Sequence, residues 1–365
     1  MKVKTVREKE MVTISLCMIV KDEEENLGAC LDSIKGVVDE IVIVDTGSMD
    51  RTKDVARGYT DKVYDFIWID DFAAARNFSF SKATKDYCMW LDADDIVPEN
   101  GQKKLLLWKR QANGTEDALM LPYAAGFDEK GKVGFCYYRE RILKRERGFR
   151  WKGRVHEAIA VYGKVEYLDI IIEHHTKKHK YNNRNLRIYE KMKQENIPFE
   201  TRDQFYYARE LYYHKRYQEA EEGFQEFLKE KNGFSENQVE ACRMAAYCCY
   251  KLDREEDALG FLLRGLRFRV PKGELCCDIG KHYMDRQIWE QAIFWFQAAL
   301  NAPKKEKEGG FIEEECYGYI PCIQLSVCYE VIGEREQALK YHDMAGTYKP
   351  YGVEYRKNKE YFYPV

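Results

Sequence analysis

Between Thr13 and Leu91 the chain carries four apolar runs of strand length: Thr13 to Val20, Glu40 to Asp45, Lys62 to Trp68 and Tyr87 to Leu91. Helical patterns fill the gaps. In DEEENLGACLDSI, Leu27, Leu31 and Ile34 fall at i, i+4 and i+7, on one helical face. RTKDVARGY is a short helix behind the turn TGSMD, with Asp50 as its N-cap, and Phe72 to Thr84 is a further helix. Strands that are apolar without alternation and separated by helices call for a parallel sheet covered on both faces. Such a sheet takes its ligands at the carboxyl ends of its strands. Beyond Pro98, a helix from Asn100 to Arg110 leads into ALMLPY, a hairpin around Asp128 to Lys132 and FCYYRERILKR, which read as antiparallel additions. Tyr167 to His175 is the last strand-like run, and from about Tyr181 strand patterns cease.

The second half of the chain is a helical repeat. With Ala220, Ala258, Ala292 and Ala338 as anchors, the residues twelve earlier are Ala208, Ala246, Gly280 and Ser326, all small. Nine earlier stand Leu211, Cys249, Tyr283 and Tyr329, and four later Phe224, Leu262, Phe296 and His342. The anchors are 38, 34 and 46 residues apart, the longest interval holding the charged insert KKEKEGGFIEEE, read as a loop. The pattern resembles the tetratricopeptide unit of about 34 residues, whose small residues let two helices cross closely. At 365 residues the chain has room for two domains. We place a Rossmann-like α/β domain at 1–197, an all-α tetratricopeptide-like domain of about four repeats at 198–352, and a C-terminal tail at 353–365.

The 12 cysteines include no C-x-x-C spacing. Cys242, Cys276 and Cys322 instead sit sixteen residues before successive anchors, where a small, weakly polar side chain packs well. Reduced thiols are expected. The N-terminus MKVKTVREKEMV has no apolar stretch behind its charges and no apolar run approaches the roughly 18 residues of a membrane span, so a cytoplasmic protein without a transmembrane segment is expected. A net charge of −3 disfavours binding nucleic acid through bulk positive charge. Basic residues do cluster locally, eight Lys/Arg in Arg139 to Arg154 and five in Lys177 to Arg187, and such a rim could hold a diphosphate or an acidic acceptor.

Acidic residues end the strands of the first half: Asp22 and Glu23 after the first, Asp45 and Asp50 after the second, Asp92, Asp94 and Asp95 after the fourth. They converge on the ligand crevice. A self-repelling cluster of this kind is ordinarily neutralised by a divalent cation, and oxygen ligands favour Mg2+ or Mn2+. No G-x-G-x-x-G occurs in KDEEENLG, which excludes a nicotinamide enzyme.

The series SLCMIVKDEEENL, IVIVDTGSMDRT and ARNFSFSKATKDYCMWLDADD resembles a family 2 glycosyltransferase of the GT-A fold, with Asp92-Ala93-Asp94 as its DxD motif. The resemblance implies that the backbone near Met18 to Val20, with Asp45, holds the nucleoside base, and that Asp22, Glu23 and Ala93 also contact the nucleotide sugar. Asp92 approaches the ribose, Asp94 a metal bridging the diphosphate, and Arg76 the nucleotide. In inverting transfer the acceptor attacks the anomeric carbon directly, so a base must take its proton. RWKGRVHEA resembles a WxGxxHE-like stretch of this subgroup and lies 63 residues beyond Asp94 at Glu157. Glu157 is the expected general base, and His156 a positioning group or metal ligand. A late histidine often completes the metal site in such enzymes. His174 and His175 both qualify, and strand neighbours face opposite ways; His175 is the expected ligand.

These residues imply an inverting, metal-dependent glycosyltransferase moving a hexose or N-acetylhexosamine from a UDP-sugar. A stacked helical array suits an extended peptide, so a peptide or protein acceptor modified on Ser/Thr oxygen or Cys sulfur is expected, as in the sublancin-type peptide S-glycosyltransferases that the combination resembles. The rival is a saccharide or lipid-linked acceptor, with the repeats forming a homodimer. A non-catalytic scaffold would have a broken acidic motif, whereas Asp45, Asp92 and Asp94 are all present.

Overall fold

The computed structural model describes residues 11–127, 131, 133–175, 183–230, 233–304 and 312–364. The turn expected at Asp128 to Lys132 lies, apart from Gly131, outside them, as do residues 1–10 and most of the stretches Lys177 to Arg187 and Lys304 to Glu315. The chain packs into two units, one of residues 1–126 and 137–180, the other of 127–136 and 181–365.

In the first unit β1 (Ile14–Val20), β2 (Glu40–Asp45), β3 (Val63–Asp65) and β4 (Tyr87–Trp90) alternate with α1 (Leu27–Asp32), α2 (Thr52–Arg57) and α3 (Phe72–Ser81). All four strands are parallel, β1 pairing β2 on one side and β4 on the other. Leu27, Leu31 and Ile34 are fully buried, so the helical face read from their spacing is the one that covers the sheet. After β5 (Asp95–Ile96) and α4 (Glu99–Gln111) come β6 (Ala118–Phe127), β7 (Val133–Lys144), β8 (Trp151–Lys152), β9 (Ala158–Ile159), β10 (Val165–Tyr167) and β11 (Ile172–His174). The sheet order is β3-β2-β1-β4-β7-β6-β11-β5. β7 runs antiparallel to β4, and β11 antiparallel to β5, so a parallel core carries the antiparallel additions. The run from Tyr167 to His175 is broken, with β10 ending at Tyr167 and β11 beginning at Ile172, each lying parallel to a different stretch of β6.

The second unit is mainly helical: α5 (Arg184–Gln194), then the pairs α6 (Thr201–Tyr213) with α7 (Tyr217–Phe227), α8 (Ser235–Lys251) with α9 (Glu255–Gly265), α10 (Gly273–Asp285) with α11 (Trp289–Leu300) and α12 (Tyr319–Val331) with α13 (Arg335–Tyr348), and finally α14 (Val353–Phe362). Contrary to the expectation that strands cease, the insert read as a loop carries a two-residue strand, β12 (Ile312–Glu313), antiparallel to β7 at Phe135 and Cys136. All four anchor alanines are fully buried. Gly280 shows why the row twelve earlier is small, since a Cβ there would stand 2.9 Å from the ring of Phe296, itself in the row four later. The turn inside each pair repeats as closely. Lys215, Asp253, Gln287 and Gly333, each five before an anchor, have φ of 61°, 56°, 60° and 84°. The next amide in each turn donates to the carbonyl of Leu211, Cys249, Tyr283 or Tyr329, at 2.9–3.0 Å. This is the left-handed helix end that glycine adopts without strain, yet only the last repeat uses glycine. Glycine at 215, 253 or 287 is therefore expected to raise stability by about 0.5–1 kcal/mol each, and Gly333→Ala to lower it by about 1, read as shifts in the urea midpoint.

Two expected boundaries differ from those observed. The α5 helix belongs with the second unit, because its buried Tyr189 packs on Phe199 and Tyr207, so the division falls at 180/181 rather than 197/198. Residues 353–365 are not a tail: α14 stacks Tyr355 on the buried His342 at 4.6 Å and buries Phe362. All 12 cysteines are free, and burial pushes the thiols of Cys242, Cys276 and Cys322 up to about 12, which fits packing residues rather than metal ligands. Among the described residues, no helix is long and apolar enough to cross a membrane.

Candidate functional site

The carboxyl ends of β1 and β2 are laced together by their own loops. Asp22, with φ of 53°, accepts from the Met49 amide at 2.7 Å while its own amide donates to the Ser48 hydroxyl at 2.9 Å. The Glu23 amide donates to the Thr52 hydroxyl at 2.7 Å. Glu23 is raised from its ordinary value by burial and by the carboxylates of Asp94, Asp92 and Asp50, so it stands within the field of the acidic group. Asp45 is fully buried. Its Oδ1 accepts from the amides of Gly47 and Ser48 at 2.9 and 3.0 Å, whereas Oδ2 is buried without a hydrogen-bond partner among the described residues. A buried acceptor left open in this way is costly unless a ligand donor meets it.

Past β4, the carboxylates are met by buried or half-buried cationic side chains, two of which are shared. Asp92 accepts from Arg76 Nη2 at 2.7 Å, and Glu157 Oε1 accepts from Arg76 Nε at 2.6 Å. Burial opposes ionisation of Asp92, but the Arg76 and Arg141 charges outweigh it and hold the carboxyl down to about 2. Asp95 is fully buried against the equally buried Arg141, with Nη1 to Oδ2 at 2.9 Å. It also accepts from the Asp92 amide at 2.9 Å and from the Tyr123 hydroxyl at 3.1 Å. Both Asp95 oxygens are thus committed inside the protein. The His174 Nδ1 lies 3.3 Å from both Asp94 Oδ1 and Asp95 Oδ1. Burial disfavours its protonation, yet the bonds to Asp94 and Asp95 prevail and push the imidazole up to about 10.

Several expectations change. His174, not His175, faces the carboxylates: the β11–β5 register sets His174 opposite Asp95, while the half-exposed His175 turns its Nε2 to Glu173 at 2.9 Å. His156 has φ of 51° and lies outside the Asp94, Asp95 and His174 grouping, the set among the described residues whose ligand atoms come within 4.8 Å of one another. The side chains of Met18, Val20 and Ala93 are in the core, and the carbonyls of Met18 and Val20 already accept from Ser79 and Thr46. Arg76 is buried beside the rings of Trp90 and Trp151, whose centres lie 5.0 and 4.9 Å from its guanidinium carbon. The basic run Arg139 to Arg154 is not one open rim, because Arg141 is spent on Asp95, Lys144 on Glu146 and Arg147 on Asp117. With Arg76 and Arg141 in place, clustered carboxylates do not by themselves demand a cation.

A cation nevertheless fits. Asp94 and His174 offer one carboxylate and one imidazole to a borderline-hard ion, with Asp95 behind them orienting the ring. The site then combines an open carboxylate oxygen for a base edge, an ion-binding pair, and Glu157, whose Oε2 has no hydrogen bond among the described residues.

Residues 15–214 match the family Glycosyl transferase family 2. A TPR repeat-containing protein of Synechococcus elongatus is 49% identical over 85 residues, covering 23% of this chain and 21% of its own. The SPbeta prophage-derived glycosyltransferase SunS of Bacillus subtilis is 28% identical over 149 residues, 40% of this chain and 34% of its own. The lipopolysaccharide core biosynthesis glycosyltransferase LpsC of Rhizobium meliloti is 26% identical over 160 residues, 42% of this chain and 58% of its own. The matched stretch spans about a fifth to somewhat over half of these relatives.

Proposed function

The chain belongs to glycosyl transferase family 2, its GT-A-like α/β domain leading an all-α tetratricopeptide-like domain, and we propose that it is an inverting enzyme moving a hexose or N-acetylhexosamine from a UDP-sugar to a peptide or protein acceptor. The observation that carries this reading is the grouping at one sheet edge of Asp45 with an open oxygen, the Asp94–His174 pair and Glu157. A carboxylate acceptor buried as Asp45 is selects a base edge bearing an N–H, as uracil does. The acceptor hydroxyl or thiol attacks the anomeric carbon, the bond from that carbon to the diphosphate oxygen breaks, and its electron pair leaves with the nucleoside diphosphate. The acceptor's proton passes to Glu157 Oε2. Asp94 and His174 are the residues that would hold Mn2+ or Mg2+, which when bound supplies positive charge against the leaving diphosphate.

The His174 proton sets a pH dependence. With the imidazole held near 10, a cation must displace that proton at neutral pH, and raising the pH removes it. Mn2+ affinity, measured by calorimetry between about pH 6.5 and 8.5, is expected to climb by up to about tenfold per unit. A flat profile would take His174 out of the ligand set.

The helical second unit supports a peptide acceptor, because stacked helical repeats suit an extended ligand. Likeness to LpsC favours a second reading, a saccharide or lipid-linked acceptor. Incubation with radiolabelled UDP-sugars and a cell extract separates them: label in protein supports the first, label confined to lipid or glycan the second.

A further inference from the structure

One edge of the Arg76 guanidinium is divided between two carboxylates. The Nε and Nη2 hydrogens, which ordinarily grip one carboxylate together, go instead to Glu157 at 2.6 Å and Asp92 at 2.7 Å. The side chain is nine-tenths buried, its guanidinium carbon 5.0 and 4.9 Å from the ring centres of Trp90 of β4 and Trp151 of β8, which pack edge to face beside it. The residue beside it anchors the same hairpin. Asn77 Nδ2 donates to the Trp151 carbonyl and Asn77 Oδ1 accepts from the Trp151 amide, both at 3.0 Å. The Phe72 amide, at the start of α3, donates to the Arg154 carbonyl at 2.9 Å. One helix therefore holds both the β4 end, with Asp92, and the β8–β9 hairpin, whose connection ends in Glu157.

We propose that Arg76 is a positioning residue that sets Glu157 against Asp92, so that the proton acceptor and the donor-side carboxylate keep one spacing. The inference rests on Glu157 being the base. Donor and acceptor ends of the displacement arise from elements far apart in sequence, and a planar two-pronged cation, buried beside two indoles, holds them at one spacing. Lysine has the charge, but its donors sit on one nitrogen at the end of a flexible stem, so it can meet both carboxylates without holding them in one plane at one spacing.

The test is a double-mutant cycle on hydrolysis of UDP-glucose and UDP-N-acetylglucosamine with Mn2+, where water takes the acceptor's place. Arg76→Lys is expected to lower kcat by about 30-fold in the wild type and by less than about threefold in Glu157→Gln, because its effect passes through Glu157. Equal losses in both backgrounds, or a loss confined to donor KM, would overturn the proposal and leave Glu157 as the base. Wild-type turnover in Glu157→Gln alone would overturn the underlying reading as well. Circular dichroism monitors folding, and Arg76→Gln enters the same cycle with the same criteria should the lysine variant unfold.

Discussion

Replacing Glu157 by glutamine is expected to lower transfer by about 10²–10⁴-fold while leaving nucleotide-sugar affinity within about twofold of the wild type. Glutamine keeps the shape, and its carbonyl oxygen can still accept from Arg76 Nε, so the β8–β9 hairpin stays in place. What it loses is the ability to take a proton. The general-base contribution disappears, whereas the donor residues, Asp45 on β2 and Asp94 beyond β4, are untouched. Turnover is checked by release of the nucleoside diphosphate, affinity by thermal shift. Unchanged turnover would remove Glu157 from the mechanism; lost affinity would make it part of the donor site.

Arg141→Leu is expected to cost about 3–5 kcal/mol of stability, the usual penalty for leaving a fully buried charge without its partner. Arg141 and Asp95 are both inaccessible to solvent, and Arg141 also lies over Trp90 at 3.7 Å and Tyr123 at 4.4 Å. Unpaired, Asp95 must take up a proton or draw in water, and either disturbs the Asp92 amide, Tyr123 and His174 that depend on its oxygens. Urea denaturation measures the loss. Arg141→Leu combined with Asp95→Asn should be less destabilised than Arg141→Leu alone, because no buried charge is then left unmatched. A loss below about 1 kcal/mol in the single variant would mean that the pair is dispensable.

The parallel core was legible because its strands are buried on both faces and read as unbroken apolar runs. The repeat was legible because two helices can cross closely only where side chains are small, and that requirement recurs in phase. Less visible was the neutralisation of the acidic group. Arg141 lies in a run that reads as surface charge, but β7 is covered on both faces there, with Glu140, Ile142 and Leu143 also buried, so alternation along the strand does not mark it. The choice between His174 and His175 depends on the pairing of β11 with β5, a contact of distant segments that spacing does not encode. The sequence motif singles out Arg76, but its partners Asp92 and Glu157 follow from where the β8–β9 hairpin docks on α3. The C-terminal helix was missed because its amphipathic pattern is weak, and its burial depends on stacking against His342.

That this sheet edge is a cation-assisted nucleotide-sugar site is tested most directly by release of UDP from a panel of UDP-sugars, with Mn2+ and with chelator, in the wild type and in Asp94→Ala. UDP release from at least one sugar nucleotide is expected, abolished by chelator and by Asp94→Ala. Release that persists in Asp94→Ala with chelator present, or no release and no thermal stabilisation by any UDP-sugar, would contradict it.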